Sequence, residues 1–103
     1  MTNLAISATG IGRSEFLMAL RALRKGDFSV RMPMDLAGID GEIAEAFNDV
    51  VEMNGKIAGE FARIRDEVGK EGQIGQRVRL PAAAGAWADG VESVNALIGD
   101  LVR

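Results

Sequence analysis

The stretch "IAEAFNDVVEMNGKIAGEFARIRDEV", residues 43–68, decides the fold of this chain. Its apolar residues recur at alternating steps of four and three, which is the spacing of a heptad seam. The a positions are Phe47, Asn54, Phe61 and Val68, and the d positions are Ile43, Val50, Ile57 and Ile64. A narrow seam of this kind predicts a long amphipathic helix that packs against other helices.

Polar and small residues interrupt this seam, and each allows two interpretations. Asn54 occupies an a position, where a buried Asn lowers stability but fixes register and favours parallel pairing; alternatively, it lies at an exposed turn. Gly55, Gly59 and Gly69 each cost nearly ~1 kcal/mol of helix propensity relative to Ala. They either hold the helix near balance between two packings, or allow close helix approach on a tolerant face.

Shorter seams lie on both sides of the long one. A first helix is predicted over residues 14–25, with Ser14 as its N-cap and Gly26 as its stop. A last helix is predicted over residues 88–103, after Trp87, which we interpret as a packing anchor rather than a ligand platform. The predicted core positions of these two helices are Phe16, Leu20, Leu23, Val94, Leu97 and Leu101.

The segments that follow the first and the long helix repeat one pattern. "KGDFSVRMP" occupies residues 25–33, and "EGQIGQRVRLP" occupies residues 71–81, 46 residues later where the glycines align. We expect both segments to be extended connectors that pack on the helices through equivalent positions: Gly26, Phe28 and Met32 in the first, and Gly72, Ile74 and Val78 in the second. Arg31 and Arg77 recur as well, and either bond helix carbonyls or acids across the bundle, or are solvated.

The two units resemble the HAMP domain, the signal-relay module of bacterial sensor histidine kinases and chemoreceptors. The resemblance is carried by "GDFSVRM" followed by "DGEIAEAFNDVVEMN", with "SVN" at residues 93–95 as a degenerate copy of "AFN" at residues 46–48. The family's second helix opens with an acid, here Glu42 and, more weakly, Asp89. The chain departs from the family at Ala44, where Gly is usual, and it lacks the Pro that opens the first helix.

The resemblance implies an all-α fold: a parallel homodimeric four-helix coiled coil with two units stacked along one axis. Residues 1–13 are expected to be a flexible leader. Unit 1 would span residues 14–69, with its helices at 14–25 and 42–69 and its connector at 26–41. Unit 2 would span residues 60–103, with a shared helix at about 57–71 and a connector at 72–87, before the last helix. Narrow seams support the dimer independently, because one helix pair cannot bury them.

Composition excludes several classes of function. The chain has 12 basic and 15 acidic residues and contains no His and no Cys, so we expect no nucleic-acid partner, no metal, no cofactor and no catalytic site. Asp35, Asp40, Glu42 and Glu45 cluster, but we interpret these acids as helix-dipole and capping residues. No apolar run is long enough to cross a bilayer, so the chain is expected to be cytoplasmic, with an upstream anchor in a longer parent not excluded.

The expected function is a signal relay between an upstream sensor and a downstream kinase or signalling domain, with the partner being a second copy of this chain. Movement of the first unit would reach the second through the shared helix. The alternatives are a passive dimerisation spacer with the same fold, or an adaptor that binds a partner helix.

Overall fold

The computed structural model describes residues 10–101, and over these residues the fold is all helical, without a β-strand. The prediction of an all-α chain is therefore confirmed. The helices are α1 (Arg13–Arg24), α2 (Gly38–Ile64) and α3 (Gly85–Leu101), and a π-helical segment (Arg65–Lys70) continues α2. Most of the predicted leader, residues 1–9, and the last two residues of the predicted final helix lie outside the described range.

The described residues fall into two compact units, and the division lies between Gly55 and Lys56. Unit 1 contains α1, the connector over residues 25–37 (connector 1) and most of α2. Unit 2 contains the end of α2, the π-helical segment, the connector over residues 71–84 (connector 2) and α3. No helix within residues 10–101 has the length and apolar character that a membrane crossing requires.

The helices begin earlier than the sequence predicts. α2 and α3 begin at Gly38 (φ 64°) and Gly85 (φ 57°), rather than at residues 42 and 88, because the left-handed conformation that glycine favours turns the chain there. Glu42 and Asp89 consequently lie in the second turn and do not open their helices. The acid in the first turn of α2 is Asp40, and α3 has none there.

The N-terminus of α1 also differs from its prediction. The N-cap is Gly12 and makes no side-chain capping bond, so the assignment of Ser14 as N-cap was wrong. The Phe16 N–H donates to the Gly12 carbonyl at 2.9 Å, which starts the helix one residue before Ser14.

A one-residue difference separates the helix ends that precede the two connectors. In unit 1 the Lys25 N–H donates to the Arg21 carbonyl, four residues back, at 3.1 Å. In unit 2 the Glu71 N–H donates to the Asp66 carbonyl, five residues back, also at 3.1 Å. The π-helical segment therefore accommodates one extra residue, since its hydrogen bonds close a wider turn.

Each unit has its own apolar core. In unit 1 the buried residues are Ala19, Met32, Ala44, Phe47 and Val51. The rings of Phe16 and Phe47 meet edge to face, with their centroids 6.0 Å apart, so α1 packs directly on α2. In unit 2 the buried apolar residues are Val78 and Leu80 in connector 2 and Ile98 in α3.

Candidate functional site: connector locks and an exposed seam

An asparagine of α2 holds connector 1 in unit 1. The Met32 N–H donates to Asn48 Oδ1 at 2.7 Å, and Asn48 Nδ2 donates to the Met32 carbonyl at 3.0 Å. Both residues are buried, so one side-chain amide satisfies both backbone groups of Met32 where water cannot reach them. Nδ2 also lies 2.9 Å from the sulfur of Met34. We call this paired contact the asparagine lock.

Unit 2 repeats the asparagine lock. The Val78 N–H donates to Asn95 Oδ1 at 2.7 Å, and Asn95 Nδ2 donates to the Val78 carbonyl at 3.2 Å. Asn95 is half-buried, whereas Asn48 is buried. Phe47, which precedes the lock residue of unit 1, is buried against Phe16, and Val94, which precedes that of unit 2, is half-buried.

The recurring arginines make the same contacts in both connectors. Arg31 Nη1 donates to the carbonyls of Phe28 and Val30, at 2.9 and 2.7 Å. Arg77 Nη1 donates to the carbonyls of Ile74 and Gln76, at 2.9 and 2.8 Å. Of the alternatives left open by the sequence, the structure therefore gives a third arrangement: each guanidinium closes its own connector turn.

The glycines at the starts of the connectors also match. Gly26 has φ 89° and Gly72 has φ 72°, so at both places the chain passes through the left-handed region as it leaves the helix. Of the apolar connector residues, Met32 and Val78 are buried and Phe28 is half-buried, whereas Ile74 is 42% exposed. The packing of connector 2 is therefore less apolar than that of connector 1.

The stripe that α2 buries within unit 1 lies one residue beside the predicted seam. The buried positions are Ala44, Phe47, Asn48 and Val51, so only Phe47 belongs to both sets. In α3 the buried residue is Ile98, next to the predicted Leu97. In α2 and α3 the chain thus buries one stripe and leaves the neighbouring stripe partly uncovered.

The exposed members of the predicted seam include large apolar side chains. Val50 is 48% exposed, Phe61 49%, Leu97 63% and Leu101 62%, and Leu20 and Ile43 are exposed as well. The remaining predicted core residues, apart from the buried Phe47, are half-buried: Phe16, Leu23, Asn54, Ile57, Ile64, Val68 and Val94. We refer to the exposed residues Leu20, Ile43, Val50, Phe61, Leu97 and Leu101 as the open seam.

The structure shows local contacts for some of the polar and small residues that interrupt the predicted seam. Asn54 Nδ2 donates to the Val50 carbonyl of its own helix at 2.8 Å. A Cβ at Gly55 would lie 3.6 Å from Phe28 Cβ, an ordinary contact, and a Cβ at Gly59 or Gly69 would meet no atom within 4 Å. Close approach inside the described chain therefore does not require glycine at these positions.

The acids near the start of α2 do not form a metal site. Among residues 10–101 no group of three or more acids is placed to hold a metal ion. Asp40 instead accepts the Ile11 N–H at 3.2 Å, which ties the segment before α1 to α2. Trp87 lies in the first turn of α3 and is 45% exposed.

A cluster of charges lies on the helix side of connector 2. Arg63 Nη2 lies 2.8 Å from a carboxylate oxygen of Glu60, and Arg63 Nη1 lies 3.0 Å from one of Glu67. The hydrogen bonds from Arg63 lower the pKa of Glu60 to about 2, assisted by the Arg79 N–H and opposed by burial. The same partnership raises the pKa of Arg63.

Sequence reasoning identified Asn48 and Asn95 as repeated motif positions but did not predict their contacts, and it missed Arg63. The recurrence of the asparagines next to a seam residue was the available signal. Arg63 gives no such signal, since its partners lie up to 14 residues away in a connector whose path the sequence does not determine. No family model and no solved structure matches this chain.

Proposed function

We propose that the chain is a non-catalytic relay module that works as a parallel homodimer in the cytoplasm, between a sensor and a kinase or signalling domain of a longer protein. Each unit would form a four-helix bundle with its copy, and movement in unit 1 would be passed to unit 2 through α2 and the π-helical segment. The observation that carries the proposal is that both units contain an asparagine lock and that the open seam lies beside it.

The connector locks support the relay because they leave the open seam free for a partner. Asn48 and Asn95 fasten the connectors on one stripe of α2 and of α3. Exposed Val50 and Leu97 then present a second stripe. A heptad stripe of this kind is buried best by identical stripes of another copy in register.

Glycines and a π-helical segment weaken the long helix, which favours two packings of similar energy. Gly55, Gly59 and Gly69 reduce helix propensity although the chain's own contacts do not demand glycine. The π-helical segment Arg65–Lys70 is a second local deviation in the same run of helix, and such deviations often mark functional positions. A helix that is weakened at several points can be repacked by a small free-energy change.

The test is coupling between the units in the full chain. In the first experiment Phe28→Ala perturbs the core of unit 1, and hydrogen exchange of the Val78 N–H is measured in unit 2. In the second experiment Ile98→Ala perturbs the core of unit 2, and hydrogen exchange of the Met32 N–H is measured in unit 1. A relay predicts that each substitution changes exchange in the other unit as well as in its own. Glu45→Gln, at an exposed position of α2, is the control.

A passive spacer has the same architecture but no coupling. If both substitutions change exchange only in their own unit, the relay proposal is wrong and the spacer is supported. A complex with an unrelated helix and no self-association would support the adaptor instead.

A further inference from the structure

Connector 2 is tied to its helix by a charged fork that is separate from the asparagine lock. Arg63 donates two hydrogen bonds to Glu60, at 2.8 and 3.0 Å, and one to Glu67 at 3.0 Å. The same guanidinium donates to Gln76 Oε1 at 3.0 Å and to the Arg77 carbonyl at 2.5 Å. All five bonds start from one planar group, so they fix the helix and the connector against each other.

Glu60 adds a direct link to the connector backbone. Its Oε1 accepts the Arg79 N–H at 2.7 Å. The side chains of Glu60 and Arg63 are only 19% and 20% exposed, so water does not replace these bonds freely. Helix and connector are thus joined at Gln76, Arg77 and Arg79, on both sides of the Val78 lock.

Within residues 10–55, unit 1 shows no counterpart of this fork. Equivalent positions follow from the backbone bonds that end the two helices. The Asp27 N–H donates to the Ala22 carbonyl in unit 1, and the Gln73 N–H donates to the Glu67 carbonyl in unit 2, so Ala22 is the counterpart of Glu67. Four residues earlier in each helix, Met18 is the counterpart of Arg63. Pro33 stands where unit 2 has Arg79, and proline has no N–H to donate.

The space that Arg63 fills in unit 2 is open in unit 1. A groove of about 550 Å³ lies between α1 and connector 1, and Met18, Ala22, Val30 and Pro33 contribute to its walls. The Met18 side chain is 68% exposed and does not close it. Connector 1 is therefore held by the asparagine lock and apolar packing, whereas connector 2 also depends on charge.

We propose that Arg63 is an electrostatic latch that positions connector 2, so that raised ionic strength loosens connector 2 while connector 1 stays in place. The inference goes beyond the proposed relay and does not depend on it, because every contact lies within unit 2. Salt screens a partly buried charge pair only modestly, but it leaves apolar packing intact or stronger, so loosening by salt is confined to connector 2.

Hydrogen exchange of the full chain tests the latch, with the Arg79 and Val78 amides reporting on connector 2 and the Met32 amide on connector 1. Arg63→Met, which places the unit 1 residue at this position, is expected to speed exchange of the Arg79 amide by about tenfold or more, since charged hydrogen bonds are the strong ones. Arg65→Met is the matched control, because Arg65 is 66% exposed and pairs with its neighbour Asp66.

The salt arm uses the unaltered chain in low and high sodium chloride. We expect the Arg79 and Val78 amides to exchange about twofold faster in high salt, because partly buried pairs are screened only weakly. The Met32 amide should be unchanged, and the salt response should disappear in Arg63→Met. Equal responses of the two connectors, or an Arg63→Met chain with unchanged Arg79 exchange, would overturn the proposal. If Arg63→Met does not fold, Arg63→Lys, which retains the charge without the fork, is measured instead. It must speed exchange of the Arg79 amide relative to the unaltered chain, and unchanged exchange would overturn the proposal.

Discussion

At the scale of single residues, the asparagine locks are the most specific polar contacts of the fold. Asn48 satisfies both backbone groups of a buried connector residue, which a shorter or apolar side chain cannot do. A buried donor or acceptor that loses its partner costs about 1–3 kcal/mol. The locks therefore decide whether the connectors stay on the helices.

We predict that Asn48→Ala lowers the free energy of unfolding by about 2–4 kcal/mol, because it leaves the N–H and the carbonyl of Met32 unpaired in the core. Asn95→Ala should cost less, about 1–2 kcal/mol, since that lock is half-exposed to water. Urea denaturation at one fixed chain concentration measures both. Asn54→Ala is the control, because the Asn54 amide bonds within its own helix, and it should cause no loss.

The Glu60 carboxylate makes the stability of unit 2 sensitive to acid. Its pKa is lowered to about 2 from 4.5 in the folded chain, chiefly by Arg63. A lowered folded-state pKa means a contribution that is present above pH 4.5 and is lost as the pH falls toward 2. We predict that Glu60→Gln destabilises the chain near neutral pH, and that its difference from the unaltered chain shrinks on acidification.

Urea midpoints of both chains over this range measure that difference directly. Other carboxylates with lowered pKa, such as Asp27 and Asp66, are present in both chains and cancel. A difference that stays constant down to pH 2 would contradict the assignment of the stabilisation to Glu60.

At the scale of helices and connectors, the sequence predicts the type of element well and the buried face only partly. The heptad seam identified the long helix, and the repeat of "GDFSVRM" located both connectors. The seam nevertheless lies one residue beside the stripe that the chain buries, Ala44–Phe47–Asn48–Val51. Periodicity shows that a helix has an apolar face. When that face is wide, periodicity does not show which of its residues pack on a connector and which are left for a partner.

Helix boundaries were less predictable for a physical reason. Acidic residues are favoured in the whole first part of a helix, so Glu42 and Asp89 did not identify the first residue. The left-handed glycines Gly38 and Gly85 set the start instead. The sequence did not predict the π-helical segment, where the bond that ends the helix spans one residue more than its counterpart in unit 1.

Gly59, an exposed glycine of α2, gives a prediction about helix stability. Gly59→Ala should raise the free energy of unfolding by ~1 kcal/mol, because alanine has the higher helix propensity and its Cβ meets no atom. Thermal denaturation measures the gain. If the substitution also changes coupling between the units, glycine serves the balance of packings; a higher melting temperature with unchanged coupling would reject that role.

The open groove of unit 1 allows the latch to be transplanted. Met18→Arg places a guanidinium near Glu15 and the Arg31 carbonyl, the equivalents of Glu60 and the Arg77 carbonyl. We predict slower exchange of amides in connector 1 at low salt and a new salt dependence there. Met18→Gln, with similar length and no charge, is the control, and equal effects of both variants would argue against electrostatics.

At the scale of the whole molecule, the exposed apolar residues require an explanation. Six large apolar side chains of the predicted seam are exposed in a chain of 103 residues. Small domains bury a limited core and often gain stability by association. A second copy that covers the open seam would bury the same residues on both chains, as a two-fold symmetric interface does.

Parallel pairing predicts specific crosslinks. Cysteines introduced at Val50 or at Leu97 should each form a disulfide with the same position of the other copy, because seam residues face each other across the axis. Cysteines at Asp49 or Ala96, one residue away and off the seam, are the controls and should crosslink poorly. An antiparallel pair would instead link different positions.

Sedimentation equilibrium of the full chain at micromolar concentration is the decisive measurement for the homodimer. We predict the mass of two copies, and a lower apparent mass when Val50 and Leu97 are replaced by charged residues. A folded chain that sediments as one copy, with its connectors protected as in the unaltered protein, would contradict the four-helix assembly and the relay that rests on it.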